Sequence, residues 1–382
     1  MTPLALTGAR VLVNDMFVDG IAVLVEDGRI AALARADDAR VRAAEQRDLA
    51  GAFLLPGFID AQVNGGGGVL FNDAPTVDTI RAIGAAHRRF GTTSFLPTLI
   101  SDEAAVVRSA LDAVREAIAS KVPGVEGIHV EGPHISAKRR GAHDAAKIRA
   151  LDDEALKQLA LQRAGRTLVT LAPEATTPEA IARLAAAGVI VAAGHTDASY
   201  DEAIAAFAAG ARGVTHLFNA MSPFGHREPG VAGAALTTPD CWCGVIADGR
   251  HVHPAALKVA YAAKGPGRLM LVTDAMPVVG TSQRSFKLQG REVRVRDGVC
   301  VDASGTLAGS ALDMASAVRN AMRFLGIPLE TAARMASATP AAFLRLEAEL
   351  GHIAPGYRAN LVAVDGDVNV KDSWIDGRAC AA

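Results

Sequence analysis

Eight short apolar runs, each with a polar residue at or near its end, alternate with alanine-rich segments along the middle of this sequence. The runs are LLPGFID, TTSFLPT, GIHVE, LVTLAPE, GVIVAAGH, GVTHLFN, CGVIADG and LMLVTDA. The segments between them repeat apolar residues with helical spacing, and several end in glycine, as TPEAIARLAAAG and HPAALKVAYAAKG do. Strand and helix alternating eight times favour a closed (β/α)8 barrel over an open sheet.

The two ends of the chain have a different pattern from the middle. Both contain β-branched runs separated by Asp-Gly turns, such as GIAVLVEDGRIAALA near the start and LVAVDGDVNVKDSWIDGRA near the end. We expect one small β-sandwich domain built from residues 1–54 and 351–382, beside a catalytic barrel at residues 55–350. The predicted fold is therefore α/β, a TIM-like barrel with a small terminal β domain.

Composition and charge exclude several kinds of partner. The 382 residues carry 39 basic and 41 acidic side chains and no basic tract, so nucleic acid is not expected to bind. No uncharged apolar run reaches the roughly 18 residues that a membrane span needs, and MTPLALTGARVLVND lacks the pattern of a signal peptide. The cysteines Cys241, Cys243, Cys300 and Cys380 fit neither a disulfide framework nor a zinc motif. We expect a cytoplasmic protein with reduced thiols.

Candidate metal ligands follow three of the predicted strands. Eight of the ten histidines lie between His129 and His253, and active sites of such barrels lie where the strands end. Glu131, His195 and His216 offer one carboxylate and two imidazoles, which with water in a fourth position is the ligand set of a catalytic divalent metal. Alternatively, each histidine only forms a hydrogen bond and Glu131 pairs with an arginine. The convergence of three polar strand ends favours the metal.

Asp274 and His143 are candidate catalytic residues. Asp274 follows the apolar run LMLVT, where an aspartate is either a helix N-cap or a general base. His143 lies in the loop KRRGAHDAA, which follows the strand that carries Glu131, and it could polarise a substrate carbonyl. By its pattern alone, His143 is more typical of a surface histidine.

Two later loops carry a candidate anion site. Arg227 lies in NAMSPFGHREPG, and His251 follows the Asp-Gly turn of ADGRHVH. A forked guanidinium, an imidazole and backbone N–H groups could together hold a phosphate. Two solvated surface cations would give the same pattern, so spacing leaves both interpretations open.

A series of motifs, in order along the chain, resembles one family. The motifs are PGFIDAQVNGGGG, HVEGPHI, GAHD, TLAPE, AAGHTDAS, THLFNAMSPFGHREPG, IADGRHVH, LVTDAM and GTLAGS. They closely resemble the N-acetylglucosamine-6-phosphate deacetylases of the amidohydrolase superfamily, from about residue 8 to about residue 365. The resemblance implies an amidohydrolase-type barrel and a homodimer. It also implies metal-dependent hydrolysis of N-acetyl-D-glucosamine 6-phosphate to D-glucosamine 6-phosphate and acetate, in amino sugar catabolism and cell-wall recycling.

The resemblance also implies roles for individual residues. Glu131, His195 and His216 match the family's metal ligands. Asp274 matches its catalytic base and acid, and His143 matches the residue that contacts the N-acetyl carbonyl. The implied contacts with the phosphorylated amino sugar are Ala142, His143, Asn219, Ala220, Arg227, His251, Leu307, Ala308 and Gly309.

The first predicted strand departs from the superfamily pattern. Many members carry His-x-His there and bind two metals, whereas this sequence has Gln62 and Asn64. Amide side chains are poorer ligands than imidazole, so we expect one tightly held divalent ion per subunit. Zinc is the first choice, with Fe2+, Co2+ and Mn2+ as alternatives. Gln62 could hydrogen-bond a water on the metal.

Two other functions fit part of the pattern. A different hydrolase on the same fold, such as a cyclic-amide hydrolase or an aminoacylase, would give no reason for Arg227 and His251 to lie together. A non-catalytic barrel that had lost its metal would give no reason for the ligand set or for Asp274.

Overall fold

The N-terminal residues form small sheets in the computed structural model, which describes residues 2–161 and 164–379. The elements of this part are β1 (Leu4–Thr7), β2 (Arg10–Val13), β3 (Met16–Val18), β4 (Ile21–Glu26), β5 (Arg29–Arg35), α1 (Ala39–Ala43), β6 (Glu45–Asp48) and β7 (Phe53–Pro56). One sheet has the strand order β5-β4-β1-β6. Strands β2, β3 and β7 belong to a second sheet that the C-terminus completes.

The middle of the chain forms the predicted barrel. Its strands are β8 (Phe58–Val63), the short hairpin β9 (Gly65–Gly66) and β10 (Val69–Leu70), β11 (Thr92–Ile100), β12 (Gly127–Glu131), β13 (Arg166–Leu171), β14 (Ile190–Ala193), β15 (Gly213–Val214), β16 (Trp242–Val245) and β17 (Leu269–Leu271). Strands β8 and β11 to β17 pair in parallel, each with the next. The Asp274 N–H donates to the Gln62 carbonyl at 3.0 Å, which joins the last strand to the first. The eight strands coincide with the eight apolar runs, so the barrel prediction is confirmed.

Helices cover the outside of the barrel. They are α2 (Val77–Arg88), α3 (Ala104–Ala119), α4 (Asp153–Ala160), α5 (Pro178–Ala186), α6 (Tyr200–Ala208), α7 (Gly230–Thr237), α8 (Pro254–Lys264), α9 (Met314–Leu325), α10 (Leu329–Ala336) and α11 (Ala338–Phe343). Their ends follow local chemistry: Ser199 and Glu202 form a capping box at the start of α6, and α8 ends at Gly265, whose φ is +61°. Within the described ranges, no helix is long and apolar enough to span a membrane.

An antiparallel sheet is inserted between the last barrel strand and α9, and the sequence analysis did not predict it. Its strands are β18 (Ser285–Leu288), β19 (Arg291–Arg296), β20 (Val299–Asp302) and β21 (Leu307–Ser310). Buried side chains from the sheet, including Leu288 and Cys300, pack against Ile100 and Met276 of the barrel. The inserted sheet therefore covers one side of the barrel mouth.

The C-terminal strands complete the small domain. They are β22 (Leu361–Val364), β23 (Val370–Ile375) and β24 (Arg378–Ala379), in a sheet of order β24-β23-β22-β7-β2-β3. A sheet domain built from both termini is thus confirmed, while its limits at residues 54 and 350 stay a prediction. Cys241, Cys243 and Cys300 are free and buried; Cys380 lies outside the described residues.

A buried ion pair joins the small domain to the barrel. The Arg358 guanidinium donates to both carboxylate oxygens of Glu126, at 2.8 and 3.0 Å, and Glu126 immediately precedes β12. The same guanidinium contacts Asp376 at 2.8 Å. Strand β12 is therefore held at its lower end by the terminal domain, and its upper end carries Glu131.

Candidate metal centre and active site

Three buried side chains converge at the C-terminal ends of three strands of the barrel. Glu131 is the last residue of β12, and His195 and His216 each come two residues after the end of a strand, β14 and β15. Glu131 Oε1 lies 3.0 Å from His216 Nε2 and 3.3 Å from His195 Nε2, and the two Nε2 atoms are 3.1 Å apart. The three ligand atoms predicted from the strand ends thus form one triangle.

The triangle fits a divalent cation. Ligands about 2.0–2.2 Å from a tetrahedral cation lie roughly 3.3–3.6 Å from one another, which is slightly more than the separations of these three atoms. His195 Nδ1 lies 2.9 Å from the Arg139 carbonyl, which can only accept, so Nδ1 carries the hydrogen and Nε2 offers its lone pair. A carboxylate and two imidazoles can therefore hold a metal ion here, as the sequence predicts.

The charges of the triangle also favour a cation. Burial alone would raise the pKa of Glu131, but the hydrogen bonds with His195 and His216 outweigh burial and lower that pKa well below its usual range. Burial lowers the pKa of His216, yet the hydrogen bond and charge of Glu131 overcome this and raise it. The carboxylate stays ionised and attracts positive charge to its neighbours.

Several residues of the site have left-handed backbone conformations. The φ angles are +48° at His195, +31° at His216 and +52° at Asp274. Residues other than glycine avoid this region, at a cost of the order of 1–3 kcal/mol each, and such strain clusters at functional sites. Sharp turns after β14, β15 and β17 are what aim these side chains into the barrel mouth.

Asp274 lies beside the triangle and accepts hydrogen bonds from two amides. Asn64 Nδ2 and Gln62 Nε2 donate to the same oxygen, Asp274 Oδ1, at 2.6 and 3.1 Å. The Gln62 amide nitrogen also donates to Glu131 Oε1 at 3.1 Å, so it bridges the two carboxylates. Burial, and then the charge of Glu131, raise the pKa of Asp274 to about 6. The side chain caps no helix among the described residues, which removes the N-cap alternative.

His143 is buried in the site and is not a surface histidine. Its Nδ1 accepts a hydrogen bond from the Ser101 backbone N–H at 3.3 Å and lies 2.7 Å from the Ser101 hydroxyl. Burial, and then the neighbouring His195, hold the pKa of His143 well below its usual range. The ring is therefore neutral with its hydrogen on Nε2, the tautomer that can donate to a carbonyl oxygen.

A cavity of about 370 Å³ opens above these groups. Besides the triangle, Asp274 and His143, it is lined by the predicted contacts Ala142, Asn219, Ala220, His251, Leu307 and Gly309. His251 Nδ1 is 2.6 Å from Asp248 Oδ2, which fixes the ring. Burial raises the pKa of Asp248, but the hydrogen bond with His251 prevails and lowers it.

Three predicted residues do not line the cavity. Arg227 lies on an exposed loop, and Ala308 is buried in the cluster that joins the inserted sheet to the barrel. Gln62 is buried behind the two carboxylates, without lining the cavity. The functional roles given to these residues stay predictions.

Sequence reasoning missed several residues of the site. Lys138 and Arg139 line the cavity and pair with Asp197 at 3.4 and 2.8 Å. Asn64 was considered only as a lost metal ligand, whereas it contacts Asp274. The run KRRGAHD was the available signal for Lys138 and Arg139, because it places three cations a few residues before a candidate active-site histidine.

The barrel, the ligand triangle and the aspartate at the last strand define a class of protein. Residues 53–380 match the model of the amidohydrolase family, and the chain belongs to that family. Metal dependence is a property of this family, in agreement with the triangle.

Within the family, the chain is similar to deacetylases of phosphorylated amino sugars. It is 46% identical to the N-acetylgalactosamine-6-phosphate deacetylase of Shewanella sp. (strain ANA-3), over 97% of this chain and 94% of that protein. It is 38% identical to the N-acetylglucosamine-6-phosphate deacetylase of Vibrio furnissii, over 94% and 90%. The crystal structure of the N-acetylglucosamine-6-phosphate deacetylase from Pasteurella multocida superimposes with a TM-score of 0.96 and 36% identity, over the full length of both chains.

Proposed function

We propose that the protein hydrolyses the N-acetyl group of N-acetyl-D-glucosamine 6-phosphate, giving D-glucosamine 6-phosphate and acetate. The observation that carries the proposal is the convergence of three kinds of group on one cavity. These groups are a ligand triangle for a cation, a carboxylate whose pKa is raised and a neutral imidazole that donates from Nε2. Amide hydrolysis needs an activated water, a proton acceptor and an oxyanion donor, and the residues of this cavity would supply all three once they hold a cation.

Asp274 would act as base and then as acid. A cation at Glu131, His195 and His216 would acidify a water molecule and polarise the acyl oxygen. The amides of Gln62 and Asn64 occupy Asp274 Oδ1, which leaves Oδ2 to accept the proton of the attacking water. Asp274 would then return that proton to the departing amine, so that one carboxylate serves both transfers.

His143 would stabilise the negative charge that develops on the acyl oxygen. Its Nε2–H is held in place from behind by Ser101, and the buried ring stays neutral. A donor fixed before the reaction in a site with little water stabilises an oxyanion more than a mobile donor in solvent does.

The sugar phosphate would be recognised by a part of the cavity lining. His251, held by Asp248, together with Asn219 and Ala220, belongs to that lining. Arg227 remains our candidate for a further phosphate contact, although in this chain it lies outside the cavity lining. We also propose that the metal is zinc and that the protein is a homodimer in the cytoplasm. Its reaction would belong to amino sugar catabolism and cell-wall recycling.

A second candidate substrate is N-acetyl-D-galactosamine 6-phosphate. The relative that is 46% identical over almost the whole chain carries that activity in its name. The two sugars differ only in the orientation of the hydroxyl at carbon 4, far from the acetamide. The same ligand triangle, Asp274 and His143 would therefore serve both substrates.

Acetate release tests both proposals. The zinc-loaded protein is offered the two 6-phosphates and unphosphorylated N-acetylglucosamine, and kcat/KM is compared. We expect the higher value with one of the two phosphates and a much lower value with the plain sugar. Equal rates on phosphorylated and plain sugars would exclude recognition of the phosphate, and no acetate from any of them would remove the proposed function.

A further inference from the structure

The turn between β18 and β19 carries a residue that the turn itself does not favour. Gln289 and Gly290 form this two-residue turn, with φ angles of +48° and +79°, between the paired residues Leu288 and Arg291. Two left-handed residues are typical of a type I′ turn, which prefers Asn, Asp or Gly at its first position. The next turn of the same sheet follows that preference with Asp297 and Gly298. The conformation of the turn therefore does not explain why position 289 is a glutamine.

The reason lies in the contacts of the Gln289 side chain. Its Nε2 donates to the Ser101 carbonyl at 2.7 Å, and its Oε1 accepts from the Asp144 N–H at 2.9 Å. The Ser101 carbonyl can only accept and the Asp144 N–H can only donate, so the side-chain amide of Gln289 has only one possible orientation. The inserted sheet is thereby fastened to two separate segments of the barrel mouth.

Both segments hold His143. Ser101 contacts the Nδ1 of that ring through its N–H and its hydroxyl, and Asp144 is the next residue of the chain. Arg291, on the other side of the turn, donates to the carbonyl of Ala142, the residue before His143. One hairpin thus restrains the residues on both sides of His143 and the residue behind its ring.

We propose that Gln289 is a positioning residue, which fixes the His143 ring through Ser101 and Asp144. The proposal rests on the function proposed above, in which the Nε2–H of His143 meets the acyl oxygen. A displacement of about 1 Å in a catalytic group can lower a rate by roughly a hundredfold. The amide therefore acts on the chemical step, although it touches neither substrate nor metal ligand.

The substitution Gln289→Asn separates this role from a structural one. Asparagine suits the turn better than glutamine, but its side chain is one methylene shorter and cannot span from the turn to both partners. We expect an unchanged or higher Tm, unchanged metal content, a kcat lower by about tenfold or more, and a KM within about threefold of wild type. Gln289→Met, which keeps the length without the hydrogen bonds, should lose kcat in the same way.

Asp297→Asn is the matched control, because it makes a similar change at the same position of the next turn. Asp297 is exposed, and we expect this variant to keep both Tm and kcat. A double-mutant cycle with His143→Asn gives the second readout. If Gln289 acts through His143, Gln289→Asn should cost little more once His143 has been replaced.

Several outcomes would overturn the proposal. One is an unchanged kcat in both Gln289 variants, and another is a lower Tm together with the lower kcat. A third is a double variant at positions 289 and 143 whose fold-loss of kcat equals the product of the two single losses. A wild-type protein that releases no acetate, or a His143→Asn variant that is fully active, would remove the proposed function and this inference with it.

Discussion

At the scale of single residues, Asp274 is the group whose protonation should govern the rate. Burial and the charge of Glu131 raise its pKa to about 6, and only the deprotonated carboxylate can accept a proton. A bound cation favours the carboxylate and lowers this pKa. We therefore expect kcat/KM to rise with pH along an acid limb whose midpoint lies at or below about 6.

Asp274→Asn should remove that acid limb together with most of the activity. The loss of both proton transfers should lower turnover by at least about 10²–10⁴-fold, with metal content near wild type by elemental analysis. A variant that unfolds or loses its metal would show that Asp274 is a ligand or a structural residue instead.

The phosphate contacts make a second prediction at this scale. Hydrogen bonds to a charged group contribute about 1.5–3 kcal/mol each, or roughly tenfold to a hundredfold in kcat/KM. We expect His251→Asn and Arg227→Ala to lower kcat/KM on the 6-phosphate by this factor and to leave the weak activity on the plain sugar unchanged.

The exposed pair of Arg183 with Asp153 offers the control, since Arg183→Ala removes one surface cation away from the cavity. Equal losses on both sugars at position 227 would assign Arg227 a structural role. If kcat/KM on the 6-phosphate falls only in His251→Asn, the phosphate is bound by the cavity lining without Arg227.

Sequence patterns predicted the residues that strand ends position, and they missed the contacts that distant loops make with those residues. Glu131, His195 and His216 follow apolar strands, so strand periodicity alone places them at the same end of the barrel. The groups that set their chemistry come from distant loops: His195 is oriented by a carbonyl 56 residues away, and His143 by a serine 42 residues away. No local pattern encodes such pairings, because loop conformations decide them.

At the scale of the element, the end of strand β8 carries two amide side chains where the resemblance to the superfamily would place a pair of metal ligands. The amide nitrogens of Gln62 and Asn64 donate hydrogen bonds to carboxylates. Amide side chains are well suited to such hydrogen bonds and are poor ligands for a second cation. We expect one tightly bound divalent ion per chain, measured by elemental analysis after dialysis. Two retained ions per chain would contradict this prediction.

Substitutions on this strand should separate metal retention from turnover. Gln62 contacts both Glu131 and Asp274, whereas the contact of Asn64 is with Asp274. Groups that orient metal ligands typically change metal affinity or activity by about 10–100-fold when removed. Gln62→Ala should therefore weaken metal binding and turnover together, and Asn64→Ala should lower turnover while the metal is kept.

The inserted sheet is the element that sequence reasoning overlooked, although its signals were present. REVRVRDG alternates charged and apolar residues with a period of two and ends in Asp-Gly, the pattern of a hairpin. The predicted barrel at residues 55–350 includes this segment without giving it any strands. Its role at the mouth could not be read in advance, because the contacts of Gln289 with Ser101 and Asp144 join segments well over a hundred residues apart.

At the scale of the whole molecule, the pair of Arg358 with Glu126 connects the two domains. Removing one partner of a buried ion pair leaves an uncompensated charge and costs about 3–5 kcal/mol. Arg358 is 19% exposed, so Arg358→Ala should lower the free energy of unfolding by an amount at or below the bottom of that range, measured by chemical denaturation. The folded variant should still be active.

Two comparisons check that interpretation. Arg294→Ala, which breaks an exposed pair with Glu292, should leave the free energy of unfolding nearly unchanged. Removing Glu126 as well as Arg358 should restore part of the lost stability, because no buried carboxylate is then left without its partner, and Asp376 is half exposed to solvent. A double variant as unstable as the sum of its singles would show that the pair is not coupled.

The meeting of the two chain ends in one sheet has a consequence for biosynthesis. Strand β7 pairs with β22, so this pairing can form only after β22 has been synthesised. Synthesis of the roughly 300 residues between Pro56 and Leu361 takes about 15–60 s at ribosomal rates of about 5–20 residues per second. Throughout that time the nascent chain presents an unpaired strand edge, a surface on which other chains can add. The sheet that contains β7 is therefore among the last parts of the protein to be completed.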